Sequence, residues 1–332
     1  MTTENEIREC LDGVIVPGVK RSLIGMNLLR SVTLGDHTAK ITLAKAALSD
    51  GAQEWTENKV KEALSRLPDI SAVEIEFIEA KPAELNEIKN VIAVMSGKGG
   101  VGKSLVASLL GISLARQGKN VGILDADITG PSIPRIFGIT DRPNGSDSGI
   151  LPVLSRAGIE IMSINLLLPS EEDAVIWRGP LISKAITQFW EEVLWGKLDY
   201  LIADLPPGTA DASLTVMQTL PINGVVIVFT PQDLVEMIVK KAVNMAKMME
   251  KPVLGVVENM SYFTLPDSGK QVELFGSSKG QEMARSVGAP LLAQFPIDPE
   301  LARLCDAGEI ERYDADVLQR LAGTFLNATS SK

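Results

Sequence analysis

The residues Gly97-Lys98-Gly99-Gly100-Val101-Gly102-Lys103-Ser104 satisfy the pattern G-x-x-x-x-G-K-[ST]. Glycines let a backbone wrap closely around phosphate groups, with successive amides pointing inward at a helix N-terminus. In this pattern Lys103 reaches the β- and γ-phosphates of a nucleoside triphosphate, and the Ser104 hydroxyl ligates Mg²⁺. Two later apolar runs end in carboxylates. After Val121–Leu124 come Asp125, Ala126 and Asp127. Asp127 is placed to hold a magnesium-bound water or to orient the attacking water, and Asp125, closer to the strand, is the second choice or a support for the loop. After Tyr200–Ala203 comes Asp204, which fits the role of holding magnesium through water. Pro206-Pro207-Gly208 then stiffens a turn. Its Gly208 amide is suited to bond the γ-phosphate and to switch between triphosphate and diphosphate states.

Such groups work only if rigid elements hold them together. Short, nearly continuous apolar runs alternate with helical stretches from Val91 onward, which predicts a doubly wound, mostly parallel sheet in an α/β domain. Strands are expected at Val91–Met95, Val121–Leu124, Tyr200–Ala203, Val225–Phe229, Val253–Val257 and Leu291–Phe295. Helices are expected at Ser104–Gln117, Leu181–Val193, Leu234–Met249 and Gly280–Val287. Ligands of these sheets sit beyond the carboxyl ends of the strands, where all three motifs fall. Residues 1–80 read as a separate small α+β domain. It has a helix at Asn5–Leu11, a strand pair at Ser31–Leu34 and Ala39–Leu43, a helix at Trp55–Leu67 and a strand at Val73–Ile78. Residues 81–90 read as a linker and 91–332 as the phosphate-binding domain.

Composition narrows the rest. The 332 residues include two cysteines, Cys10 and Cys305, and one histidine, His37. That excludes a histidine-rich zinc site, a disulfide framework and a four-thiolate cluster within one chain. A net charge of −10 argues against nucleic acid as a partner. No run of 18 apolar residues occurs, so no stable membrane insertion is expected, and the polar N-terminus points to a cytoplasmic protein.

Lys98, directly after the first glycine, marks the deviant phosphate-loop class of ATPases, whose members dimerise face to face with this lysine reaching the partner's nucleotide. The chain resembles the Mrp/ApbC family of that class, regarded as iron–sulfur cluster carriers. The likeness runs closely from about Asn90 to Asp298. It rests on MSGKGGVGKS, DADITGPSIPRIFG, WRGP (Trp177 to Pro180), WGKLDYLIADLPPGTAD, TPQD (Thr230 to Asp233) and VENMSYF (Val257 to Phe263). The N-terminal domain more loosely resembles the MIP18-type domain often fused there. The resemblance implies an ATP- and Mg²⁺-dependent homodimer that hydrolyses ATP slowly, with iron–sulfur apo-proteins or scaffold proteins as partners. It gives Lys98, Lys103 and Asp127 catalytic roles. It places adenine on Asn259, with Phe295, Pro296, Ile297 and Asp298 walling the base. Trp177 and Arg178 serve the dimer or a client surface, with a core Trp and a surface Arg as the equal alternative.

The sequence departs from the family at its metal positions. Members carry a C-P-x-C pair after VENMSYF, and two such pairs hold a bridging [4Fe–4S] cluster. Here Leu265 and Ser268 stand at those positions, and neither is an ordinary iron–sulfur ligand. The N-terminal domain has Val16-Pro17-Gly18 and Ala46-Ala47-Leu48-Ser49 where the relatives carry Asp-Pro-Glu and Cys-Pro. Two functions follow from the resemblance: an ATPase of iron–sulfur cluster assembly, as carrier or as cysteine-poor partner of one, and a nucleotide-switched scaffold similar to partitioning ATPases. The tail from Asp314 to Leu326 lacks the basic face of a membrane-binding amphipathic helix.

Overall fold

Helix α1 (Glu4–Asp12) begins at a capping box, in which the Thr3 hydroxyl accepts from the Glu6 amide and the Glu6 carboxylate accepts from the Thr3 amide. Strand β1 (Leu29–Gly35) pairs antiparallel with β2 (Thr38–Ala44). Asp36 and His37, both at positive φ, form the two-residue turn whose twist matches the flanking strands. Helix α2 (Asp50–Leu64) starts five residues before the periodic stretch, because Ser49 caps it through the Ala52 amide. It leads to β3 (Ala72–Ile78), which runs parallel to β2. Ile7, Leu11, Leu23, Met26, Ile41, Leu43, Val60 and Leu64 form the core of this unit. The expected linker carries a short helix, Pro82–Leu85, and a strand, Glu87–Ile88, paired with Lys197–Leu198. This first unit takes in Met1–Lys89, Asp141–Leu154 and Gln188–Leu198. The computed structural model describes residues 2–128, 130–167, 179–208, 211–232 and 235–330.

The second unit (Asn90–Thr140, Ser155–Thr187 and Asp199–Lys332) is the α/β domain. Its labelled elements in chain order are β4 (Val91–Ser96), α3 (Lys103–Arg116), β5 (Val121–Asp125), α4 (Ile133–Phe137), β6 (Glu160–Ser163), β7 (Tyr200–Asp204), α5 (Asp211–Thr219), β8 (Gly224–Phe229), α6 (Val235–Met248), β9 (Val253–Glu258), α7 (Gly280–Val287), β10 (Leu291–Gln294), α8 (Pro299–Asp306) and α9 (Asp316–Ser330). The helix expected at Leu181–Val193 is Gly179–Glu191, between β6 and β7 in the chain. The strands lie in the order β10-β9-β8-β4-β7-β5-β6, and each of these neighbours runs parallel. Every residue of β4, β5, β7 and β8 is buried, as strands covered on both faces require. β6 is not among the strands read from sequence: Glu160, buried at 1% exposure, interrupts its apolar run. The tail helix α9 buries Val317, Leu318, Leu321, Ala322 and Phe325, and Phe325 meets Tyr200 edge to face at 5.7 Å. Its apolar face is therefore spent on the core. Among the described residues, no helix is long and apolar enough to cross a membrane.

Candidate nucleotide site

The glycine loop follows β4, a central strand of the sheet, and ends at Gly102, the residue before α3. Gly100 and Gly102 both sit at φ +79°, in the left-handed region. A Cβ on Gly102 would run into the Asn259 amide nitrogen, so both the backbone angle and the space demand glycine there. The loop carries Lys103 and Ser104 into the first turn of α3, where helix amides favour an anion.

Strand register brings the acids to the lysine. Asp204 at the end of β7 lies opposite both Asp125 of β5 and Val94 of β4. The Lys103 ammonium donates to Asp204 Oδ1 at 2.6 Å and stands 3.6 Å from Asp127 Oδ2 and 3.4 Å from the Ser104 hydroxyl. All three charged side chains are buried. Burial raises the Asp204 carboxyl above the usual carboxylate range, against the pull of the Lys103 ammonium and the Ser104 hydroxyl.

Asp125 does different work. Its Oδ2 accepts from the Ser132 and Ile133 amides at 3.1 Å each and from the Ser163 hydroxyl at 3.2 Å, and its Oδ1 accepts from the Asp127 amide. It fixes the loop that carries Asp127, the supporting role already open to it from sequence. Burial and the neighbouring Asp204 push its carboxyl up to about 8. Ser163, delivered by the unanticipated β6, is the contributor that no local pattern marks.

The donor set suits a hard cation such as Mg²⁺, which takes oxygen ligands. Asp204 Oδ2 is buried with no hydrogen-bond partner among the described residues, and the Ser104 hydroxyl lies on the same lysine. An orphaned buried carboxylate oxygen is costly unless something binds it.

The other expected site residues fall as follows. The Gly208 amide donates to the Ser96 carbonyl at 3.0 Å, and Ser213, buried at the start of α5, bonds the Pro206 and Gly208 carbonyls at 2.8 and 3.1 Å. Lys98 donates to the Gln232 side-chain oxygen. Asn259 is buried, and its amide donates to the Val101 carbonyl at 2.9 Å, so it braces the phosphate loop. Backbone bonds from Ser261 to Phe295 and from Ile297 to Tyr262 lay the 295–298 stretch beside it. Pro296 is partly exposed on that stretch. The Asp298 carboxylate is already engaged. Its Oδ1 caps α8 through the Glu300 and Leu301 amides, and its Oδ2 accepts from the Tyr313 hydroxyl at 2.9 Å. Burial and that carboxylate push the Tyr313 hydroxyl up. Trp177, Arg178 and Asp233 lie outside the described residues.

Leu265 and Ser268 occupy the tip of a hairpin whose strands are Phe263–Thr264 and Gln271–Val272. The Leu265 side chain is exposed, and Ser268 accepts from the Lys270 amide. Among the described residues, no group of three or more His, Cys, Asp or Glu could hold a metal ion. Both cysteines are free, and burial pushes the Cys305 thiol up to about 11. In the first unit, Val16-Pro17-Gly18 and Ser49 do meet. With Ile15 and Trp55 they line an apolar groove of about 490 Å³ that offers no thiol or carboxylate.

Comparisons with known proteins show the family. Residues 87–326 match the family described as ParA: NUBPL iron-transfer P-loop NTPase. The chain is 47% identical to the iron-sulfur cluster carrier protein of Clostridium perfringens, over 71% of this chain and 87% of that one. It is 38% identical to the protein of the same description from Haemophilus influenzae, over 92% of this chain and 85% of that one. Among solved structures it resembles a nucleotide-binding protein of Archaeoglobus fulgidus in complex with ADP, at 49% identity and a TM-score of 0.64, covering 70% of this chain and 91% of that one. The cell division ATPase MinD of Pyrococcus furiosus shares the fold at 18% identity and a TM-score of 0.51, covering 72% of this chain and 99% of that one. With its Mrp/ApbC-type motifs and this breadth of identity, the chain belongs to the family of NUBPL iron-transfer P-loop NTPases.

Proposed function

We propose that this chain binds Mg-ATP and hydrolyses it slowly as a homodimer, and that it acts in iron–sulfur cluster assembly or transfer without holding the cluster on a cysteine pair of its own. The observation that carries the ATP reading is Lys103, buried against Asp204 and Asp127 at the foot of a glycine loop. A triphosphate entering the loop competes with Asp204 for the ammonium and frees a carboxylate oxygen beside the Ser104 hydroxyl. Bound Mg²⁺ would supply charge neutralisation on the phosphates. Asp127 then orients the attacking water, and the Gly208 amide exchanges the Ser96 carbonyl for the γ-phosphate. Lys98 leaves Gln232 for the partner's nucleotide. Asn259 and the 295–298 stretch hold the base, with Asp298 contributing through its backbone because its side chain caps α8.

The cluster role rests on the relatives, which are described as carriers. The specific observation favouring the second reading, a nucleotide-switched scaffold that binds no cluster, is Leu265 and Ser268 at the ligand positions.

Calorimetric titration of Mg-ATP into the full chain and into Lys103→Ala tests the site. The variant is expected to lose binding by at least about 100-fold, the loss of roughly two charge-assisted contacts. Equal affinity in the two proteins would reject the assignment.

A further inference from the structure

Two adjacent side chains at the end of β9 bond to different parts of the molecule. Asn259 donates to the Val101 carbonyl of the phosphate loop and fills the space that a Cβ on Gly102 would need. Glu258, fully buried, gathers the roots of the hairpin lobe that spans residues 261–279. Its Oε2 accepts from the Ser261 hydroxyl at 2.8 Å and the Ser278 hydroxyl at 2.6 Å, and its Oε1 from the Lys279 amide at 2.7 Å. Gln294 of β10 completes the set, donating to Oε2 at 2.8 Å and to the Ser278 oxygen at 2.6 Å.

Between those roots the lobe has almost nothing to hold it. From Thr264 to Ser278 every residue is exposed except the half-buried Val272, and its ladder is one pair of two-residue strands. A segment with so little buried contact takes its orientation from where it is attached. That attachment is the Glu258 carboxylate, one peptide bond from the residue that braces the phosphate loop.

We infer that Glu258 is a positioning residue that couples nucleotide occupancy of the phosphate loop to the conformation of the 261–279 lobe, with Asn259 as the contact on the nucleotide side. This inference rests on the nucleotide-binding reading above. When phosphate fills the loop, Val101 and Gly102 shift against Asn259. The short backbone between Asn259 and Glu258 passes the shift to Ser261, Ser278 and Lys279. The lobe tip, with Leu265 and Ser268, responds.

Hydrogen exchange by mass spectrometry on the full chain, without nucleotide, with Mg-ADP and with Mg-ATP, tests the coupling. In the natural protein, peptides covering 263–276 are expected to change exchange rate by about threefold on Mg-ATP binding, alongside protection of α3. In Glu258→Gln and Ser278→Ala the lobe response is expected to fall to less than half, with ATP affinity held within about twofold. Ser278→Ala removes one hydroxyl and carries the test if the buried Glu258 change unfolds the chain. A lobe indifferent to ATP while α3 becomes protected overturns the coupling, as does a full lobe response in the folded variants. Absence of α3 protection overturns the nucleotide reading itself, and the coupling with it.

Discussion

Cys305 shows how environment, rather than residue type, decides chemistry. Thiolate is the form that ligates iron or attacks an electrophile. The Cys305 thiol, half-buried on α8 beside Asp306, is pushed up to about 11. Because the neutral form is favoured, the thiolate fraction at pH 8 is about one in a thousand, and it rises tenfold per pH unit until that value is reached. Alkylation of Cys305 at pH 8, followed by mass spectrometry, is therefore expected to run about 100-fold slower than that of a free thiol of ordinary acidity. A rate equal to that of the free thiol would mean that Cys305 is ionised and open to ligation. The same scale separates what the sequence discloses from what it withholds. Gly97 to Ser104 is legible because its function lies in one contiguous string. Ser163 and Glu258 are not, since they bond to groups 20 to 38 residues away in the chain: Asp125 for the first, and Ser278, Lys279 and Gln294 for the second. Glu258 nonetheless carried a signal: a carboxylate ending an apolar strand next to an asparagine.

At the level of elements, the phosphate loop depends on what lies behind it. Gly102 is tied to its place by a left-handed backbone and by the Asn259 amide that occupies its missing side chain's volume. Gly102→Ala incurs about 1–3 kcal/mol of backbone strain before the steric clash is counted. Circular dichroism of Gly102→Ala is expected to stay native, while ATP affinity falls by at least about tenfold. An alanine variant that binds ATP normally would show that the loop tolerates another path. Helices α3, α6 and α7 and the buried strands β4, β5, β7 and β8 follow from periodicity, whereas the short α4 and α5 do not. β6 does not, because a buried Glu160 breaks an otherwise apolar run, and its presence beside β5 becomes evident only once Ser163 is seen bonding Asp125. The small unit's α2 begins earlier than its apolar spacing shows because the Ser49 cap, rather than hydrophobic spacing, sets its start.

For the whole molecule, a member of the iron-transfer NTPase family carries leucine and serine at its hairpin tip. Anaerobic reconstitution with iron and sulfide, then desalting, is expected to leave no absorbance near roughly 400 nm, where cluster–thiolate chromophores absorb. A retained chromophore would require ligands from elsewhere and return the chain to the carrier role. Light scattering with Mg-ATP then tests the proposed homodimer: the natural protein is expected to dimerise and Lys98→Ala to stay monomeric, and equal dimer formation by the two would remove Lys98 from that role. The sheet also works as a ruler. Asp204, Asp125 and Val94 stand on one rung of three neighbouring strands. Side chains alternate between faces, so a slip of β7 by a single residue would turn Asp204 away from Lys103. The strand would still be apolar and the domain could still fold. Residues 141–154 and 188–198, which belong to the other unit, stand outside that register. A one-residue deletion inside β7 would leave a folded protein that has lost its acid, which makes strand length a heritable part of the ATP site.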